Sequence, residues 1–251
     1  MIILKETGNY LKNQARINLV FAMIGLFGSL AILYSSIPSL PFYIDAGTYE
    51  GVRGGFSLIP AIIGILYWRK YKKYKRGYEG EIRVTKHLKS ELTDEYYMIN
   101  DVNLPPYDRG NLDHVVLSPK GIFVIETKNH RGKITCYGDE WLIRYRGKNR
   151  GSTERDFNFT LGSPSAQVRN GAFRVKKVIE SLEALKSKRA WVQGIVVFSN
   201  ENAELDVNEL PECVDVMTLS DLPNYLRNYS GKQYSPEEIE LIGKESLRQA
   251  R

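Results

Sequence analysis

One stretch of this chain constrains its fold more than any other: LDHVVLSPKGIFVIETK at 112–128. Ser-Pro-Lys-Gly at 118–121 is turn chemistry between two apolar runs, so the stretch predicts a β-hairpin. Residues 121–125 are apolar on both faces of the second strand. Such a strand must be covered on both sides, which predicts a mixed α/β sheet flanked by helices. The open end of the hairpin nevertheless carries Asp113, Glu126 and Lys128.

Alternate side chains of a strand share a face. Ile122, Val124, Glu126 and Lys128 therefore point one way, and Phe123, Ile125 and Thr127 the other. With Pro119-Lys120 as a two-residue loop, Asp113 stands opposite Glu126, β-carbons ~5 Å apart; a bulge at Gly121 would shift that register by one. Two such carboxylates repel, and stay ionised only with positive charge between them. Mg²⁺ or Mn²⁺, which prefer oxygen ligands, fit that place. Lys128 beside them is a point charge suited to a developing phosphoryl anion or to positioning water. A third acid comes from the helix expected at 79–92, where Glu81 shares an apolar face with Val84, Leu88 and Leu92. His114 faces away from Asp113 and reads as a core or supporting residue.

The remaining pattern fills out the domain. Residues 96–104 read as a strand, 105–111 as a connector, 134–145 as a strand pair around Gly138 and 146–163 as a polar loop. Ser163 and Pro164 start a long helix to 185. Strands follow at 192–200 and 214–219, then helices from Ser220 and over 235–249. Trp141 and Trp191 read as core.

Ahead of this domain, 17–34 contains no charge and is nearly long enough to cross a bilayer. A second apolar run, 54–68, is followed at once by RKYKKYKR, six of whose eight residues are basic. Lys5, Lys12 and Arg16 flank the first run. The positive-inside pattern predicts a two-pass helical hairpin with both ends cytoplasmic and the 35–53 loop outside, its basic cluster against anionic lipid. A cleaved signal peptide and a pair of buried core helices are the alternatives.

The net charge of +6 does not by itself indicate a polyanion partner. Residues 1–76 hold ten basic and three acidic groups, and the rest of the chain is close to balanced. Two cysteines and three histidines, in no ligand spacing, argue against zinc.

GYEGE at 77–81, LDHVVL at 112–117, GIFVIETK at 121–128, the Gly132–Trp141 stretch and PSAQ at 164–167 together resemble the nuclease-related domain (NERD) family, of the PD-(D/E)xK nuclease superfamily. Leu112 stands where the superfamily's name has Pro. The resemblance covers about half the chain. It implies a restriction-endonuclease-like αβββαβ core and a Mg²⁺-dependent phosphodiesterase, with DNA rather than RNA as substrate. It implies Asp113 and Glu126 as metal ligands with the Thr127 carbonyl as a third, Lys128 as catalytic lysine, Glu81 as first-helix acid and Gln167 as an accessory polar residue. Residues 128–155 carry eight basic groups against three acids, so Arg131, Arg144, Arg146 and Lys148 are the expected backbone-phosphate contacts. The expected organisation is an anchor over 1–76, a nuclease-like core over 77–200 and C-terminal elements over 201–251. A non-catalytic nucleic-acid or partner-binding module at the membrane is the alternative.

Overall fold

The computed structural model describes residues 1–34, 46–148 and 154–250. The chain divides into Asn9–Tyr78 and a globular unit of Met1–Gly8 with Glu79–Arg251.

The first unit holds α1 (Asn9–Tyr34) and the part of α2 (Ala46–Glu91) up to Tyr78. Its burial pattern inverts that of a water-soluble helix pair. Ala15, Asn18, Ala22 and Ser29 of α1 and Ser57 of α2 are buried, while Phe21, Ile24, Phe27, Phe56, Leu58 and Ile62 are exposed. The helices approach backbone to backbone. A β-carbon on Gly25 would lie 2.6 Å from the Pro60 carbonyl oxygen, and one on Gly64 would lie 3.0 Å from that of Ala22. Small residues inside and large apolar ones outside is the packing expected where the solvent is hydrocarbon. Among the described residues one helix, Tyr10–Tyr34, is long and apolar enough to span a membrane. The run 54–68 is helical but lies within α2. Of the expected 35–53 loop, the described part from Ala46 is already helix, and 35–45 lie outside the described residues.

In the globular unit the strands are β1 (Ile2–Lys5), β2 (Tyr97–Val102), β3 (Leu112–Ser118), β4 (Gly121–Lys128), β5 (Gly132–Tyr137), β6 (Glu140–Lys148), β7 (Glu154–Thr160), β8 (Gln193–Phe198), β9 (Ala203–Glu209) and β10 (Val214–Thr218). A mixed six-stranded sheet runs β1-β2-β3-β4-β8-β10, and a second sheet runs β7-β6-β5-β9. The helices are the end of α2, α3 (Pro164–Glu180), α4 (Leu222–Asn228) and α5 (Pro236–Gln249). Leaving aside β5–β7, the order from α2 to β8 is helix, three strands, helix, strand.

As the doubly apolar β4 requires, both faces of the large sheet are covered. Ile122 and Val124 lie in one core with Val168, Val175 and Ile179 of α3 and Ile239 and Ile242 of α5. Phe123 and Ile125 lie in the other with Val84 and Leu88 of α2 and Leu222 and Leu226 of α4. Burying a side chain such as Phe123 contributes about 2 kcal/mol.

Four expectations need correction. Residues 1–8 belong to the globular unit rather than the anchor. β1 pairs in parallel with β2, and the Met1 ammonium donates to the Leu92 carbonyl at 2.9 Å and to Asp94 at 3.0 Å. The expected 146–163 loop contains β7, paired antiparallel to β6. β9 continues the second sheet beside β5, where no strand was expected. Trp191 is 47% exposed, unlike Trp141 at 2%.

Arg174 ties the 103–111 connector to α3. It is 1% exposed, and its guanidinium donates to the Gly110 carbonyl at 2.8 Å, to Asn103 Oδ1 at 2.9 Å and to the Leu104 carbonyl. Arg174→Leu keeps the bulk but strands these acceptors. It should destabilise the globular unit by about 3 kcal/mol, read from the denaturant midpoint of the full chain in detergent; an unchanged midpoint contradicts this role.

Candidate active site

The register of the β3–β4 hairpin decides what its open end can do. Ser118 pairs with Gly121 and His114 with Ile125, so Pro119-Lys120 is a two-residue loop with no bulge. Asp113 is therefore level with Glu126. Asp113 Oδ2 accepts a hydrogen bond from the Thr127 backbone N–H at 2.7 Å. Lys128 Nζ donates to Glu126 Oε1 at 2.5 Å and to Gln167 Oε1 at 2.9 Å. Gln167 arrives from the first turn of α3, which Ser163 caps by accepting from the Ala166 N–H. A cleft of about 560 Å³ opens here, lined by Asp113, Glu126, Gln167, Asn170, Arg109 and Arg174.

The charges are crowded. Burial, then Glu126, push Asp113 well above the usual carboxylate range, against the pull of Lys128 and the Thr127 N–H. Burial would lower the Lys128 ammonium, but Glu126 and Asp113 outweigh it and hold it raised. Glu81, on the buried face of α2, is pushed up to about 9 by burial and then by Asp113, Asp101 and Glu126. Without a cation it holds a proton at pH 7. Gly80 lets α2 come this close, since a β-carbon there would lie 2.9 Å from Asn129 Cβ and 3.0 Å from Ser199 Oγ. That gives the Gly-Tyr-Glu-Gly-Glu motif a steric reason.

Asp101 belongs to this group and was not anticipated. Pairing of Asn100 with His114 and of Val102 with Leu112 sets it level with Asp113 on the other neighbouring strand. Asn111 Nδ2 donates to its Oδ1 at 2.5 Å. The sequence signal was weak, because its position depends on the β2–β3 register. His114 faces away from Asp113, as alternation requires. Its Nδ1 is 2.7 Å from Asn100 Oδ1 and its Nε2 is 3.1 Å from Thr127 Oγ1. Burial lowers its pKa to about 3. The neutral ring thus donates to Asn100 and accepts from the Thr127 hydroxyl, fixing the strand end that carries the site.

Among the described residues no group of three or more His, Cys, Asp or Glu side chains could hold a metal ion alone. What stands together is Asp113 and Glu126, with amide and main-chain oxygens alongside. Such an all-oxygen, net-negative set fits a hard divalent cation rather than zinc. Of the residues expected at a phosphate backbone, Arg131, Arg144 and Arg146 do not line the cleft. Arg131 lies over the Tyr145 ring, and Arg144 donates to Asn158 Oδ1 at 3.2 Å. The Lys148 side chain lies outside the described residues. Arg109, Asn170 and Arg174 line the cleft instead. Asn170 was within reach of sequence reasoning, lying three residues after Gln167 on the same helix.

The raised acids make cation-free stability depend on pH. A folded state with raised carboxyl pKa values binds protons more tightly than the unfolded chain, so stability is lost as pH rises from the ordinary 4.5 of Glu81 through about 9. His114 acts oppositely, costing stability only as pH falls below 6.5 towards 3. Between pH 7 and 9 the acids lead, and the Cys136 thiol, raised by burial to about 11, adds to the fall only as pH nears 9. There the melting temperature of the full chain in detergent with EDTA should fall, and Glu81→Gln should flatten the fall. A flat wild-type profile contradicts the crowding.

Comparison with known proteins bears on this geometry. An uncharacterized protein of Bacillus anthracis is 25% identical over 176 residues, covering 69% of this chain and 76% of that one. No solved structure matches the chain. Residues 76–199, which carry Glu81, the β3–β4 hairpin and the start of α3, match the family model of the nuclease-related domain, NERD, a match that suggests a nuclease-related function.

Proposed function

We propose that the globular unit is a Mg²⁺- or Mn²⁺-dependent nuclease of the PD-(D/E)xK kind, hydrolysing phosphodiester bonds, with DNA preferred to RNA. The observation that carries the reading is that Asp113, Glu126 and Gln167 line one cleft, while Lys128 is bonded to two of them, Glu126 and Gln167. Two facing acids and a lysine held between an acid and an amide need no such arrangement for packing alone.

Asp113 and Glu126 would hold the cation, with the Thr127 carbonyl as a third oxygen. When bound, the cation supplies charge to the phosphoryl oxygens and acidifies water. The Thr127 N–H holds Asp113 Oδ2 in place, and the His114–Thr127 contact keeps the end of β4 from turning. Lys128, bonded to the cleft-lining Glu126 and Gln167, would meet developing negative charge on the phosphoryl group or orient the attacking water. Gln167 fixes the lysine by accepting from Nζ. Glu81 holds a proton in the cation-free state and gives it up when positive charge arrives. Arg109 and Asn170 supply donors for the phosphates either side of the cleaved bond.

Asp113→Asn and Glu126→Gln should each lower Mn²⁺ affinity and plasmid nicking together. Lys128→Ala should leave Mn²⁺ affinity within about threefold while lowering turnover about 10²- to 10³-fold. Calorimetric Mn²⁺ titration beside a nicking assay reads both. Acid variants that bind Mn²⁺ like wild type end the metal-site reading. A wild type that cuts neither DNA nor RNA with either metal leaves a binding module in its place.

For the N-terminal unit, the reading is a two-pass membrane anchor with both ends in the cytoplasm. Its support is the apolar exterior around the small-residue contact of α1 and α2, together with the basic flanks. Single cysteines at Lys12 and Gly77 should label from the cytoplasmic side and one at Tyr49 from the other. Tyr49 and Gly77 labelling from one side would contradict two passes.

A further inference from the structure

The β6–β7 hairpin carries an aromatic row that the reaction does not use. On β6, Trp141 and Ile143 point into the core, and Tyr145 continues their face. The register puts Phe159 opposite Ile143 and Phe157 opposite Tyr145. Both phenylalanines therefore extend the core-side face past the end of the core. Tyr145 and Phe157 stack with centroids 5.1 Å apart at 15°, and Phe159 meets Tyr145 edge-on at 6.1 Å. His130 lies 5.7 Å from Phe159, and the Arg131 guanidinium lies 5.2 Å over Tyr145. Phe157 and Phe159 are 36% and 38% exposed. The row begins beside the site, since His130 and Arg131 are two and three residues past Lys128, a reach of roughly 10 Å at most.

We propose that Phe157 and Phe159, backed by Tyr145, form a stacking platform for the unpaired bases of a nucleic-acid strand whose backbone runs past Arg131 to Asp113 and Glu126. The choice of occupant rests on the nuclease reading. Flat aromatic faces beside an arginine match the two halves of a nucleotide, an aromatic base and an anionic phosphate. In a duplex the base faces are already stacked on one another, so such a platform gains contact only from an unpaired strand. Arg144 and Arg146 alternate with Tyr145 and so project from the opposite face of β6. Arg131 is thus the guanidinium over the ring face itself.

The test is binding, separated from cleavage. The full chain in detergent micelles, with EDTA, is titrated against fluorescein-labelled 15-nucleotide dT and U strands and a 15-base-pair DNA duplex, read by anisotropy at one salt concentration. Single strands should bind at least about tenfold more tightly than duplex, the dT and U arms showing which sugar is preferred. Phe157→Ala and Phe159→Ala should each weaken strand binding about 5- to 150-fold and leave duplex binding within twofold; Phe157→Trp should restore it. Strand binding within twofold of wild type in both alanine variants overturns the platform. So does a parallel loss of duplex binding that tryptophan fails to restore. Cleavage with Mg²⁺ is scored separately. A protein that holds strands through these rings but cuts nothing refutes the nuclease reading alone. One that cuts while the alanine variants bind unchanged refutes the platform alone.

Discussion

Repulsion among acids at the end of a buried hairpin is the constraint on which the rest of this unit turns. Asp113, Glu126, Glu81 and Asp101 come from three strands and a helix and meet where burial already penalises charge. The Lys128 ammonium stands against them, bonded to Glu126 and Gln167, and the Lys5 ammonium donates to the Asp101 main-chain carbonyl at 2.6 Å. A chain selected for stability alone would relieve this by replacing one acid with an apolar residue. Holding it leaves the unit short of positive charge at one place, and that shortage is what a cation and then a phosphodiester approaching through it would meet.

The scaffold around this point is correspondingly rigid. β4 is packed on both faces by separate cores through Ile122, Phe123, Val124 and Ile125, which anchors the strand leading into Glu126, Thr127 and Lys128. His114, held neutral between Asn100 and Thr127, locks the strand from the far side. Arg174 braces the connector that lines the cleft. The β4 cores act through packing, His114 through hydrogen bonds to two side chains, and Arg174 through hydrogen bonds to two main-chain carbonyls and the Asn103 side chain.

The hairpin was readable from sequence because its information is local. The two-residue turn and the period-two alternation fix the level of Asp113 against Glu126 without reference to the rest of the chain. Glu81 was readable for the same reason, as an acid on a helix face otherwise apolar. Asp101 was not, because its place depends on how β2 registers against β3. β7 was hidden by its polar surroundings, although Phe157 and Phe159 alternate with Asn158 as a strand requires. β1 escaped because four residues ahead of a long apolar run read as its flank, whereas their role is to pair with β2 a whole helix pair later in the chain. Trp191 shows the converse error: a large aromatic beside a core strand need not enter the core.

The account's central claim is that burial and crowding raise Glu81 to about 9, so that it is protonated at pH 7 when no cation is bound. Carboxyl carbon NMR of the full chain in detergent, with ¹³C at the Glu and Asp side-chain carboxyls and signals assigned through Glu81→Gln and Asp113→Asn, tests this directly. At pH 7 with EDTA the Glu81 carboxyl should show the shift of a protonated acid, and adding Mg²⁺ should move it to that of a carboxylate. A Glu81 signal already ionised in EDTA, or one that Mg²⁺ leaves unmoved, would contradict the claim.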